Sequence, residues 1–309
     1  MATKIDIISG FLGAGKTTLI KKLLKEAYAD EQVVLIENEF GEIGIDGGFL
    51  KEAGIQIREM NSGCICCSLV GDFGTSLKEV VDKYHPDRIL IEPSGVGKLS
   101  DVIKAVQGVQ GDVDIVLNSY TTVVDAKKCK MYMRNFGEFF DNQVEYAGAI
   151  IMSRTDIATE KKVQESLELL RSLNKDAAII TTPIENLDGK KLVEVMEHPV
   201  SLEQEMLEEE HEHHHHHHDH DADEVFTSWG VETARKFTKA EVEHALTELD
   251  TGNYGMILRS KGIVDGGADG WLEFDYVPGE WEVRARGADV GGKLVVIGSK
   301  LDELLHTFI

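Results

Sequence analysis

From Lys4 to about Thr182, short runs that are apolar at nearly every position alternate with stretches whose apolar residues recur every three or four positions. The first run, KIDIIS, is followed by a Gly-rich turn and then by Leu19, Ile20, Leu23, Leu24 and Ala27 at helical spacing. A strand feeding an amphipathic helix is a βα unit. The runs VVLIE, RILIE, GAIIM and AAIIT predict further strands, and 69–84 and 159–173 predict helices between them. Strands apolar on both faces need cover on both sides, so the pattern predicts an α/β fold with a mostly parallel sheet.

The pattern breaks at SLEQEMLEEEHEHHHHHHDHDADE, 201–224, which is too charged to pack and reads as a flexible linker. Beyond it, TKAEVEHALTEL opens on a capping-box pair, Thr238 and Glu241, while WLEFDYV and WEVRARG alternate around the turn Pro278-Gly279-Glu280. The expected organisation is an α/β domain over 1–200, a linker over 201–224 and a smaller α+β domain over 225–309. All three tryptophans fall in the last part and are expected to anchor its small core. No internal repeat is evident.

Composition narrows the partners. The formal net charge is −23, of which residues 201–224 contribute −10, leaving −13 for the rest. So acidic a chain repels phosphate backbones and anionic lipid but attracts cations, which argues against nucleic acid and membrane surfaces as partners. No run approaches the eighteen or so apolar residues that span a bilayer, and the Gly-rich turn at Gly10 leaves no room for a cleavable leader, so a cytoplasmic location is expected. In a reducing compartment, clustered cysteines are thiolates for metal or redox chemistry rather than a disulfide framework.

GFLGAGKT, 10–17, matches G-x-x-x-x-G-K-[ST] between a predicted strand and a predicted helix. Backbone N–H groups around Gly13, Ala14 and Gly15 can surround phosphates, Lys16 can reach the β and γ oxygens, and the Thr17 hydroxyl can ligate Mg²⁺, with Thr18 near the α-phosphate. Glu92, ending RILIE, is a candidate to hold Mg²⁺ or orient the attacking water, with Ser94 and Gly95 close to the γ-phosphate; the alternative is a surface glutamate. Glu37-Asn38-Glu39-Phe40-Gly41-Glu42 reads equally as a nucleotide-sensing loop or an ordinary polar one. After GAIIM comes Ser153-Arg154-Thr155-Asp156, where GTPases carry Asn-Lys-x-Asp. Asp156 stands where the guanine edge is read, which favours GTP over ATP. Ser153 and Arg154 depart from that pattern, and Arg154 is left to stack on the base.

Three of the four cysteines, Cys64, Cys66 and Cys67, lie in GCICC. Three soft thiolates in one loop suit Zn²⁺ or Co²⁺ and leave a tetrahedral position open, so that the metal can leave. Redox-active thiols are the competing reading. Cys129, distant in sequence, reads as a lone, partly buried cysteine. His211, His213, His214, His215, His216, His217, His218 and His220 interrupt the acidic linker and suit loose, exchangeable metal binding, with Glu37 and Glu42 as weaker metal candidates.

With GFLGAGKTT, ENEFGEIGID, GCICC and IEPSG in this order, the chain resembles the CobW-like metallochaperones of the CobW/HypB/UreG class of P-loop GTPases. The resemblance implies GTP hydrolysis coupled to delivery of a metal ion, held by Cys64, Cys66 and Cys67, to a client protein or cofactor-assembly enzyme. It also implies that Gly13, Gly15, Lys16, Thr17 and Thr18 hold nucleotide and Mg²⁺, and that the tail from Phe226 is the family's C-terminal domain. No arginine finger is identifiable, so a partner, a metal or a homodimer is expected to complete the site. A metal buffer with a vestigial nucleotide site and a redox-responsive GTPase remain the alternatives.

Overall fold

A computed structural model describes residues 2–37, 56–59, 70–199, 227–299 and 301. The chain divides into two compact units, Met1–Pro199 and Val200–Ile309.

In the first unit the described strands are β1 (Thr3–Gly10), β2 (Val33–Glu37), β3 (Gln56–Glu59), β4 (Arg88–Glu92), β5 (Ile115–Asp125), β6 (Ala149–Ser153) and β7 (Ala178–Ile180). They form one sheet in the order β3-β2-β4-β1-β5-β6-β7, and every pairing is parallel. The helices between them are α1 (Lys16–Glu26), α2 (Val70–Tyr84), α3 (Leu99–Val109), α4 (Cys129–Glu145), α5 (Glu160–Leu173) and α6 (Gly189–Glu197). The apolar runs are strands as the pattern predicts, and Ile5, Ile7, Ile8, Val34, Leu35, Ile89, Leu90, Ile150 and Ile151 are buried. Helix starts are local. The Thr159 side chain accepts from the Lys162 N–H at the head of α5, and Asp188 accepts from Lys190 at the head of α6.

β5 is a strand that apolar runs do not announce, because Asn118, Ser119, Thr121 and Thr122 interrupt it. Its pairing with β1 slips between Ile5 and Asp6, so that Asn118 is the extra residue of a bulge. Both Asn118 Nδ2 and Ser119 Oγ then donate to Asp6 Oδ1, each at 2.7 Å. Arg88 bonds the other Asp6 oxygen, along with Glu31 and Glu197, and its guanidinium lies 4.1 Å from the centre of the Tyr28 ring.

In the second unit, strands β8 (Thr227–Thr233), β9 (Met256–Asp265), β10 (Trp271–Val277), β11 (Glu280–Arg286) and β12 (Gly292–Ser299) form a sheet ordered β11-β10-β9-β12-β8, with antiparallel pairings. Helix α7 (Lys239–Leu249) packs Val242, Leu246 and Leu249 into the core with Phe274 and Tyr276, and Thr238 and Glu241 make the full capping box. β10 alternates buried and half-buried positions as predicted. β11 does not: it is an edge strand exposed at nearly every position, and Trp281 on it is 38% exposed. Trp229 packs against the core and Trp271 is half-buried, so the expectation of three core tryptophans fails at Trp281. Among the described residues, no helix is long and apolar enough to cross a membrane.

Candidate phosphate-binding site

The turn after β1 depends on backbone conformations that side chains resist. Gly10, Gly13 and Gly15 have φ of 145°, 67° and 107°, and a Cβ on Gly10 would stand 2.4 Å from the Val123 carbonyl oxygen. Gly15 sits at the N-cap of α1, so the loop's N–H groups and the first turn of α1, with Thr17 and Thr18, share the positive end of that helix. Lys16 is buried beneath the loop; its Nζ donates to the Gly10 carbonyl at 3.0 Å and lies 3.8 Å from Glu92 Oε1. β2 and β4 are in register with Glu37 opposite Glu92, which brings two carboxylates to the same level of neighbouring strand ends. With the Thr17 hydroxyl, these hard oxygens fit Mg²⁺.

The opposite wall comes from β5 and β6. Ser153 Oγ donates to the Ala14 carbonyl at 2.5 Å, and Arg154 Nη2 donates to the Gly13 carbonyl at 3.0 Å. Arg154 adopts φ 59°, a left-handed conformation uncommon outside glycine, and its other terminal nitrogen bonds the buried Asp125 carboxylate. Asp125 also accepts the Lys127 N–H at 2.8 Å. The two residues that depart from Asn-Lys-x-Asp thus both hold the phosphate loop through its carbonyls. Asp156 is exposed in the turn that follows, and its carboxylate has no hydrogen-bond partner among the described residues.

On the β4 side, Gly95 backs onto Leu12, where a Cβ would stand 2.8 Å from Leu12 Cδ2, and the buried Gln143 of α4 donates Nε2 to the Gly95 and Gly97 carbonyls. Asp125 and Gln143 escape sequence reasoning. Asp125 ends its strand as Glu92 does and was findable on that ground, whereas nothing around Gln143 marks it.

Cys64, Cys66, Cys67, Glu42, His211, His213, His214, His215, His216, His217, His218 and His220 lie outside the described residues. Among the described residues, no three His, Cys, Asp or Glu side chains group to hold a metal. Cys129 is buried, and that burial pushes its thiol up to about 12 against a weaker opposing hydrogen bond with Ser166, so it is inert at neutral pH.

The description CobW/HypB/UreG, nucleotide-binding domain, matches residues 4–181, and the cobalamin synthesis protein cobW C-terminal domain matches residues 226–305. The zinc chaperone YeiR of Escherichia coli (strain K12) is 30% identical over 190 residues, 62% of this chain and 58% of that protein. The zinc-regulated GTPase metalloprotein activator 1 of Schizosaccharomyces pombe is 26% identical over 194 residues, 60% of this chain and 46% of that protein. The chain therefore spans about half the length of these curated relatives. Among solved structures, the Zn(II)-bound YjiA GTPase from E. coli is 23% identical with a TM-score of 0.49, covering 98% of this chain and 96% of that one.

Proposed function

The chain belongs to the CobW/HypB/UreG family, and from that premise we propose that it is a GTP-hydrolysing metallochaperone. It binds a transition metal ion, Zn²⁺ or Co²⁺, through Cys64, Cys66 and Cys67 and delivers it to a client protein or a cofactor-assembly enzyme. The observation that carries the reading is the glycine cradle over Lys16 with Glu92 3.8 Å away. The relatives' names, zinc chaperone and zinc-regulated GTPase, support Zn²⁺ as the cargo.

In this reading the loop N–H groups and Lys16 hold the β and γ oxygens, so the charge that develops there meets donors already in place. Thr17, with Glu92 and Glu37 nearby, would hold Mg²⁺, which would supply charge neutralisation. Water attacks the γ-phosphorus as its bond to the bridging oxygen breaks, giving GDP and inorganic phosphate, and Glu92 orients that water. Asp156 reads the N1–H and exocyclic amine of guanine, while Arg154 and Ser153 keep the loop in register with the strand that presents Asp156. The loop after Glu37 passes the nucleotide state to GCICC. The His-rich segment 211–220 raises the local metal concentration.

Coupling of this kind is reciprocal: whatever factor nucleotide applies to metal affinity, metal applies to nucleotide affinity. The test is Zn²⁺ and Co²⁺ affinity by competition, with and without a non-hydrolysable GTP analogue, in the full chain and in a Cys64→Ala/Cys66→Ala/Cys67→Ala variant. The expected result is a tight affinity that needs the cysteines and shifts with nucleotide. An affinity indifferent to nucleotide and lost on deletion of 211–220 makes the chain a metal buffer. Hydrolysis that follows thiol oxidation rather than added metal makes it a redox-responsive GTPase.

A further inference from the structure

The exposed surface of α4 combines two features. The first is exposed apolar bulk: Met131 and Phe136 are each 46% exposed and Phe139 is 36% exposed, all within nine residues of one helix. The second is charge. Lys127, Lys128, Lys130 and Arg134 precede or line the first turns of α4, and among the described residues Lys127, Lys130 and Arg134 make no ion pair. The nearby acid, Glu138, is taken by Lys98 at 2.8 Å. In a chain with 55 acidic and 32 basic side chains, a stretch between Asp125 and Glu138 that carries four cations and no acid is out of character.

The surface is also wired to the phosphate loop. α4 breaks at Phe136 (φ −138°, ψ 31°), and the Phe136 ring lies 5.0 Å from that of Phe11, which in turn lies 4.5 Å from Tyr132. The Tyr132 hydroxyl donates to the Leu12 carbonyl at 3.4 Å, and Leu12 is itself 54% exposed. At its far end the same helix holds the loop after Glu92 through Gln143. Anything seated on the outer face of α4 leans on the phosphate loop through Tyr132 and on the loop after Glu92 through Gln143.

We propose that this face is a docking surface for an acidic segment of a partner protein that carries apolar side chains, and that its occupation alters hydrolysis at the adjoining site. Charge complementarity selects the occupant. The chain as a whole repels an acidic partner, so the cluster around Arg134 sets where such a partner can land, and methionine and phenylalanine supply adaptable apolar contact once it does. A second copy presenting this same face brings its own cations to it. A lipid surface is disfavoured because Tyr132, Phe140, Gln143 and Val144 commit the inner side of α4 to the core, leaving too little apolar surface to insert. The docking claim stands apart from the metal cargo, and only its hydrolysis readout rests on the function proposed above.

The experiment places a photo-crosslinking amino acid at Met131 in the full chain. Crosslinked partner peptides from cell extract are sequenced, synthesised and titrated by fluorescence anisotropy. The expected peptide is net negative with apolar residues. Its Kd should weaken about tenfold or more in Lys127→Glu/Lys130→Glu/Arg134→Glu and at raised salt. It should be much less affected in a Lys161→Glu/Lys162→Glu/Lys175→Glu control of equal charge change on another surface. Saturating peptide should change the GTP hydrolysis rate of the parent, while the first triple variant alone keeps the parent's basal rate and melting temperature. Crosslinks only to a second copy, peptides without net negative charge, equal losses in both triple variants, stronger binding to phosphatidylserine vesicles than to the peptide, or no crosslink at all would each overturn the proposal. A metal affinity indifferent to nucleotide leaves these outcomes untouched, so the two readings fail separately.

Discussion

β1 serves two buried charge sites four residues apart, and the sheet treats them in opposite ways. At Asp6 the network is closed. Both carboxylate oxygens are bonded, Arg88 is shared among Asp6, Glu31 and Glu197, and the Tyr28 ring lies against the guanidinium. Burial works against the Arg88 charge, but Glu31 and Asp6 outweigh it and raise its pKa further, while burial and the Asp6 charge keep the Tyr28 hydroxyl protonated. At Gly10 the arrangement is open. Lys16 donates to a backbone carbonyl at 3.0 Å and lies 3.8 Å from the Glu92 carboxylate, under a glycine-rich loop at a helix start. One end fixes charge so that α6 and β4 stay where they are; the other presents charge so that an anion can come and go.

If that contrast is right, breaking the closed end should cost stability and breaking the open end should cost activity. The largest effect is expected from Arg88→Ala, which leaves Asp6 charged and buried: a loss of about 3–5 kcal/mol in the urea unfolding of the full chain. The double variant Asp6→Leu/Arg88→Met should recover most of it, since replacing both partners by apolar groups removes the unpaired charge. A cost below about 1 kcal/mol for Arg88→Ala would mean that the network is not closed. Next comes Lys16→Ala, for which kcat for GTP is expected to fall about 10²–10³-fold with an unchanged urea midpoint. A matching loss of stability would show that Lys16 is part of the core rather than of the site.

The open end was legible in the sequence and the closed end was not, for one physical reason. A phosphate cradle is built from consecutive residues, so GFLGAGKT carries its own geometry, and the strand and helix around it follow from apolar periodicity. The Asp6 network is assembled from residues as far apart as Asp6, Arg88, Asn118 and Glu197, and each alone looks like an isolated polar residue within a strand or at the end of a strand or helix. The bulge that lets Asn118 and Ser119 share one carboxylate is also what hides β5, because it fills the strand's middle with polar side chains. The C-terminal unit shows the same limit. Alternation in WEVRARG marks a strand, but only the sheet order makes β11 an edge whose Trp281 stays 38% exposed. At Ser153 and Arg154 the sequence signals a departure without its meaning, which is contact with the Ala14 and Gly13 carbonyls.

The smallest effect, and the finest test of the contrast, is at Glu197. Burial raises its pKa, but hydrogen bonds from Asn118 and Arg88, the Arg88 charge and Lys4 outweigh that and hold the carboxyl below its ordinary 4.5. A depressed folded-state pKa contributes stability that is fully present above the unfolded value and is lost as pH falls through the folded one. Glu197→Gln should therefore cost about 1 kcal/mol at pH 7, since an amide still accepts a hydrogen bond but carries no charge to Arg88. The gap between parent and variant urea midpoints should then close progressively as pH drops below 4.5. A gap that persists unchanged to acid pH would mean that Glu197 holds α6 to the sheet by shape, and the closed end would then owe its stability to packing around Arg88 rather than to the balance of its charges.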